Sequence, residues 1–142
     1  MQTNKHMEMP LEITMEKLVT SVKLAEGRND NIKAFGELSI RIIGQEEPLF
    51  RGVGFTIREK EFNGKTVYNV VFPAFKAGLK FQTSFVAVQK SMWRDISIMF
   101  LTDFHKFTGL GAEDIEKLRA MDTEEINLDE VDEGIRRMNS NQ

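Results

Sequence analysis

The strongest secondary-structure signal in the chain is the stretch Ile32-Lys33-Ala34-Phe35-Gly36-Glu37-Leu38-Ser39-Ile40-Arg41-Ile42. Every even-numbered position in it is apolar or glycine, and four of its odd-numbered positions are charged or polar. Because successive side chains of a strand point to opposite faces of a sheet, this period of two predicts a strand with one buried and one open face.

A second strand is predicted before this stretch. Residues 11–24 are rich in β-branched side chains, and a bulge near Lys17 would restore their alternation. Residues 26–31 separate the two strands and have the composition of a turn, because glycine, asparagine and aspartate tolerate turn backbones.

Residues 50–57 resume the alternation after a break at 44–48. The apolar side chains expected on one side of this strand are Val53, Phe55 and Ile57. Gly52 and Gly54 fall on the other side, which indicates that another backbone or an aromatic ring packs close to them.

Asn63-Gly64 supplies two residues that accept positive φ, as a type I′ turn requires. It lies between β-rich runs at 50–60 and 66–73, so the sequence predicts a β-hairpin there. Residues 74–82 contain a glycine and two lysines and are predicted to form a loop, followed by a short fifth strand at 85–88.

The hydrophobic period changes to that of a helix over residues 95–107. Its apolar positions are Ile96, Met99, Phe100, Phe104 and Phe107. Asp95 is the predicted N-cap, Lys106 suits the helix dipole, and Gly109 and Gly111 are expected to end the helix.

Two further helices are predicted near the C-terminus. The first covers residues 112–121, and the second begins at a capping box formed by Asn127 and Glu130 and ends near Met138. The expected fold class is therefore α+β: a twisted antiparallel β-sheet of about five strands, a helix packed on it and a short helical C-terminal tail.

The chain of 142 residues is long enough for one hydrophobic core. We expect a disordered leader at 1–10, an α+β domain at 11–110 and an acidic helical tail at 111–142. The absence of cysteine excludes disulfides, thiolate zinc sites and iron–sulfur clusters. No signal peptide or membrane-spanning run is apparent, so the expected localisation is cytoplasmic, without a membrane partner.

Charge is distributed unevenly along the chain. Residues 1–110 hold 15 Lys and Arg against 12 Asp and Glu, whereas residues 111–142 hold 4 against 10. Two interpretations remain open: a basic surface that binds a polyanion, or an ordinary solvated surface followed by a solvated tail.

Motifs for catalysis or metal binding are absent from the sequence. The two histidines, His6 and His105, do not have the spacing of a metal site, and no EF-hand loop occurs. Gly52-Val53-Gly54 lies in a predicted strand and is not a phosphate-binding loop, because no helix N-terminus follows it. We therefore expect no enzymatic activity, no cofactor and no metal.

A group of cations is predicted at hairpin ends, in the long loop and just before the helix, where phosphates can be reached. The candidate nucleic-acid-binding residues are Arg58, Lys60, Lys65, Lys76, Lys80, Lys90 and Arg94. The other interpretation is that these side chains provide solubility and protect sheet edges. Phe75, Phe81 and Trp93 either stack on bases or are buried in a core or interface.

Three segments, in order, resemble the septation protein SpoVG family of bacterial regulators. The segment at 32–40 is similar to the family's Lys-Ala-x-x-Ser-Ile strand, and residues 70–76, Val-Val-Phe-Pro-Ala-Phe-Lys, resemble its apolar strand closed by proline and a basic loop. Residues 93–96, Trp-Arg-Asp-Ile, resemble its aromatic-Arg-Asp-Ile element. The resemblance covers residues 12–105, and this chain adds an acidic tail and a phenylalanine-rich helix.

The resemblance implies a twisted antiparallel sheet, homodimerisation through strand pairing and binding of DNA or RNA in gene regulation. In that reading Arg94 either contacts nucleic acid or bridges to Asp95 or a backbone carbonyl. The alternative function is a non-enzymatic protein-interaction or assembly module. We also expect the acidic tail to compete with nucleic acid for the basic side chains.

Overall fold

The computed structural model describes residues 8, 17–27, 31–85, 87, 89–122 and 124 of the chain. Its elements are β1 (Leu18–Glu26), β2 (Ile32–Ile42), β3 (Phe50–Phe62), β4 (Lys65–Val71), β5 (Ala74–Ala77), β6 (Lys80–Thr83), α1 (Lys90–Thr108) and α2 (Ala112–Ala120). The expected leader at 1–10, apart from Glu8, and the expected last helix at 127–138 lie outside the described residues, as does the first part of the first predicted strand.

The first four strands form one antiparallel sheet in the order β1-β2-β3-β4, so each strand pairs with its neighbour in the sequence. β5 and β6 form a separate two-stranded antiparallel sheet. The predicted α+β class, an antiparallel sheet with a packed helix and a C-terminal helix, is confirmed.

One face of the sheet is covered by α1. The buried side chains of this helix are Ile96, Ser97, Phe100, Leu101 and Phe104. Phe55 of β3 is at the centre of the aromatic core, with its ring centroid 4.8 Å from Phe100, 5.1 Å from Phe72 and 5.3 Å from Phe85. Edge and tilted contacts at these distances stabilise a core beyond the burial of area alone.

The alternation predicted for β2 is confirmed, but that of β3 changes at a bulge. Gly36 pairs with Phe55, and the next residue, Glu37, pairs with Val53, which leaves Gly54 as an extra residue with φ of 94°. Because one inserted residue moves the side chains that precede it to the other face, Val53 is 62% exposed while Phe55 is 1% exposed. The expectation that Val53 shares a face with Phe55 and Ile57 was wrong.

Two hairpin turns have glycine where the backbone requires it. Asn63 and Gly64 have φ values of 51° and 77°, which confirms the predicted type I′ turn between β3 and β4. Gly78 has φ of 66° and precedes Leu79 in the turn from β5 to β6. Positive φ at the first turn position alone is the pattern of a type II′ turn.

Residues 74–82 are not the predicted loop, because this turn lets Ala77 and Lys80 pair directly. The fifth strand predicted at 85–88 is also wrong for Phe85 and Ala87, which lie in no strand, and the other two residues lie outside the described part. The segment 74–83 is too short for its side-chain pattern to distinguish a strand from a loop. The turn at Gly78 determines that its two halves pair as strands.

α1 begins at Lys90, five residues earlier than predicted, with Gln89 as its N-cap. Asp95 is therefore inside the helix and is not the cap. The predicted end is confirmed: Gly109 has the left-handed conformation with φ of 75°, and its N–H donates to the carbonyl of His105 at 2.8 Å.

α2 confirms the helix predicted at 112–121, and it belongs to the core. Ile115 is buried in the same apolar cluster as Phe100 and Phe104. The Asp114 carboxylate accepts a hydrogen bond from the backbone N–H of Tyr68, so α2 lies against the outer edge of β4.

Candidate nucleic-acid interface

The seven predicted cations lie on three parts of the fold. Lys76 and Lys80 lie on the β5–β6 hairpin, and Lys90 and Arg94 lie in the first turns of α1. The remaining three, Arg58, Lys60 and Lys65, lie on β3 and at the start of β4. β4 has seven residues and so spans about 20 Å. Lys65 is at its first residue and the β5–β6 hairpin follows its last, so the length of the strand separates them.

The β5–β6 hairpin presents exposed basic and apolar groups together. Lys76 and Lys80 are both exposed, and so are Phe75, at 49%, and Leu79, at 81%. Register places Phe75 and Lys80 on one face of the two-stranded ribbon and Lys76 on the other, because paired residues share a face. The ribbon is joined to its base by a hydrogen bond of 2.8 Å from the Ser84 N–H to the Pro73 carbonyl.

No acidic residue occurs between Glu61 and Asp95 in the sequence. This stretch of 33 residues carries five Lys and Arg. The hairpin therefore has no acidic residue adjacent to it in the sequence that would offset the attraction of its lysines for phosphate.

Lys90 and Arg94 contact the main chain that follows α2. Arg94 Nη1 donates to the carbonyl of Met121 at 3.3 Å, and Lys90 Nζ donates to the carbonyl of Glu124 at 3.4 Å. Arg94 Nε also lies 3.6 Å from Asp95 Oδ1. Arg94 therefore makes the contacts predicted for its structural role, one with Asp95 and one with a backbone carbonyl. That carbonyl belongs to Met121, which follows α2.

The group on β3 and β4 lies among acidic side chains. Glu59 Oε2 accepts a hydrogen bond of 3.3 Å from the Tyr68 hydroxyl and lies 3.5 Å from Lys33 Nζ. Arg58 Nε donates to Thr56 Oγ1 at 3.3 Å, and Lys60 Nζ lies 5.5 Å from the centre of the Phe62 ring. These neighbours make the β3–β4 group a weaker attractor of phosphate than the β5–β6 hairpin.

A groove runs beside β4, between that strand and the two helices, and we call it the β4 groove. It encloses about 320 Å³. Its lining includes Lys60, Trp93, Ser97, Lys117, Leu118 and Met121. Two roles were predicted for Trp93, stacking on bases or burial, and its side chain is partly buried against the core at this groove.

Burial raises the pKa of two groups beside the β4 groove. The pKa of the Tyr68 hydroxyl is raised chiefly by desolvation and further by the negative charge of Glu59. Desolvation also raises the pKa of the Asp114 carboxyl, against the lowering effect of the Tyr68 backbone N–H and Lys117. The two groups occupy the seam between β4 and α2. Sequence reasoning missed both, because they become neighbours only when α2 folds back on the sheet.

The described residues contain no group of three His, Asp or Glu side chains that would hold a metal ion. None of the helices in that part of the chain is both long and apolar enough to cross a membrane. Comparison with protein-family models, curated proteins and solved structures found no match.

Proposed function

We propose that this chain is a SpoVG-like regulatory protein that binds DNA or RNA, without enzymatic activity, as a cytoplasmic homodimer. The observation that carries the proposal is the β5–β6 hairpin. It presents Lys76, Lys80 and the exposed ring of Phe75 within a stretch that lacks acidic residues.

The size and charge of this hairpin are suited to binding nucleic acid. A two-stranded ribbon fits the major groove of duplex DNA. With a lysine on each face, the ribbon can contact phosphates on both strands that border the groove. An exposed phenylalanine beside a lysine equally suits single-stranded nucleic acid, where bases stack on aromatic rings and cations follow the backbone.

The homodimer part of the proposal uses the edge of β1. The other edge of the sheet, at β4, is occupied by α2 through the contact between Asp114 and the Tyr68 N–H. Among the residues that the structure describes, no strand pairs with the outer edge of β1, which is nine residues long. An unpaired edge of this length is a template for pairing with a second copy.

Fluorescence anisotropy with labelled single- and double-stranded DNA and RNA, over a salt series, tests the binding. The variant is Lys76→Ala with Lys80→Ala, and the matched control is Lys106→Ala with Arg119→Ala, which removes two exposed basic side chains away from the hairpin and from β1. For duplex DNA, loss of two phosphate contacts should reduce the slope of log affinity against log salt by about 1.8. The control should retain the slope of the wild-type protein.

Two results would contradict the proposal. One is the absence of binding to every probe at low salt. The other is binding that the hairpin variant and the control weaken equally, since that would reflect net charge and not a defined surface.

A second candidate is the protein-interaction module, and one observation favours it. Four exposed apolar residues gather at one end of the sheet: Leu18, Ile43, Leu49 and Phe50. They are adjacent because the Ile43 N–H bonds the Lys17 carbonyl at 3.0 Å and the Leu49 N–H bonds the Ile40 carbonyl at 2.7 Å. An exposed apolar cluster of this kind is a typical protein-binding surface. Failure of all nucleic-acid probes would favour this candidate.

A further inference from the structure

The β4 groove is lined by apolar side chains, by two lysines and by one carboxylate, that of Asp114, which accepts the Tyr68 backbone N–H. Trp93, Leu118 and Met121 supply apolar surface, and Lys60 and Lys117 also line the groove. The Ser97 hydroxyl, in a residue only 2% exposed, makes no hydrogen bond within the described part of the chain. An apolar segment that carries acidic side chains is complementary to this surface.

The chain itself leaves α2 at this groove. Met121, the first residue after the helix, lines the groove, and its carbonyl is held by Arg94. Glu124 is held in turn by Lys90. The residues that follow Glu124 are therefore tethered close to the groove, and a short tether raises the effective concentration of a segment to the millimolar range.

The sequence of residues 125–133 has the complementary chemistry. It reads Glu-Ile-Asn-Leu-Asp-Glu-Val-Asp-Glu, with three apolar side chains among five acidic ones and no basic residue. Nine extended residues reach up to about 30 Å. The wall that α1 contributes, from Trp93 to Leu101, is about 12 Å long. The segment is thus long enough to turn back and line the groove.

We propose that residues 125–133 of this chain bind in the β4 groove, with Ile126 and Leu128 against Trp93 and Leu118 and with acidic side chains beside Lys60 and Lys117. The groove is then a binding site for an apolar, acidic peptide, and the chain carries its own ligand. This docking goes beyond nucleic-acid binding and does not depend on it. Its consequence for binding, that the tail neutralises the basic side chain of Lys60, does rest on the proposed function.

Trp93 is the only tryptophan of the chain, so its fluorescence reports on the groove directly. Acrylamide quenching is measured on the full-length protein, on the variant Ile126→Ser with Leu128→Ser, and on the control Ile135→Ser. Trp93 is partly buried against the core, so a segment that covers the rest of its ring protects it further from the quencher, and the quenching constant should rise in the first variant. It should stay at the wild-type value in the control.

Reversing the charges of Lys117 and of the acidic segment tests the role of the groove lysine separately. Lys117→Glu should raise the quenching constant, and combining it with Asp129→Lys and Glu130→Lys should return the constant to the wild-type value. Lys106→Glu, a charge reversal in the last turn of α1, is the control and should have no effect.

Equal quenching of the wild-type protein and the Ile126→Ser, Leu128→Ser variant would overturn the proposal. Quenching that depends on protein concentration would also overturn it, because the groove would then hold the tail of a second copy. Neither result bears on nucleic-acid binding, since no nucleic acid is present in the measurement.

Discussion

Gly36 of β2 lies directly under the ring of Phe100 of α1. A Cβ atom at Gly36 would come 2.5 Å from Phe100 Cε1, and Phe100 is completely buried. The helix approaches the sheet this closely because the strand has no side chain at that position.

Replacing Gly36 with alanine should therefore destabilise the protein by about 1–3 kcal/mol, the usual cost of overpacking a core. Chemical denaturation gives the free energy of unfolding. Gly52→Ala is the matched control, because a Cβ there would meet the rings of Phe55 and Phe85 at an ordinary 3.4 Å. Equal destabilisation by the two variants would contradict this account of the close approach.

Ionisation of the Tyr68 hydroxyl should lower the stability of the folded protein at alkaline pH. Its pKa is raised in the folded state, so the stability it contributes is complete below the ordinary pKa near 10 and is lost as the pH rises beyond that value. The thermal midpoint should fall less steeply above pH 10 in Tyr68→Phe than in the wild-type protein. Tyr68 is the only tyrosine, so tyrosinate absorbance reads its ionisation directly. Ionisation at the pKa of free tyrosine would refute the prediction.

Asp114 should stabilise the seam between α2 and β4 through its hydrogen bond from the Tyr68 N–H. Asp114→Ala leaves that donor without its partner and should cost about 1 kcal/mol in the free energy of unfolding. Asp114→Asn keeps an acceptor oxygen and should cost less. Glu113→Ala is the control, since it removes a neighbouring carboxylate from the same helix turn. If Glu113→Ala were as damaging, the helix dipole and not the edge contact would be responsible.

Pairing of two β1 strands can be detected by disulfide formation, because the chain has no cysteine of its own. Single cysteines at the exposed positions Ser21 and Lys23 of β1 should give covalent dimers on mild oxidation, in proportion to how near each lies to the two-fold axis. A cysteine in place of Lys106 should not. Sedimentation as a monomer, with no crosslinking at either β1 position, would exclude the dimer proposed here.

The part of the fold that can be predicted locally is limited to elements with periodic side-chain patterns or turn residues. β2 and the β3–β4 hairpin were predictable, because alternation and Asn63-Gly64 act within a few residues. The bulge at Gly54 was not, since the alternation of residues 50–57 looks unbroken without the partner strand. The start of α1 at Lys90 was missed because its first residues lack a regular apolar face.

The candidate cations could be listed from the sequence, but their grouping could not. Lys76 and Lys80 are neighbours because a turn at Gly78 pairs their strands. Arg94 and Lys90 contact the main chain after α2, at residues that lie 27 and 34 positions further along the sequence, respectively.

Deleting residues 112–142 to test the acidic tail would also remove Ile115 from the core, so substitutions beyond Glu124 are the better test.

By itself, the sequence determined the α+β class, the half-buried β2 strand, the type I′ hairpin and the uneven distribution of charge. These properties depend on side-chain periodicity and turn chemistry, which act over a few residues. Only the tertiary structure decided which face Val53 occupies, that α2 covers the edge of β4, and that a groove with Trp93 opens where the chain leaves α2. Those features arise from contacts between segments far apart in the chain, whose geometry is set by how closely α1 and α2 pack on the sheet.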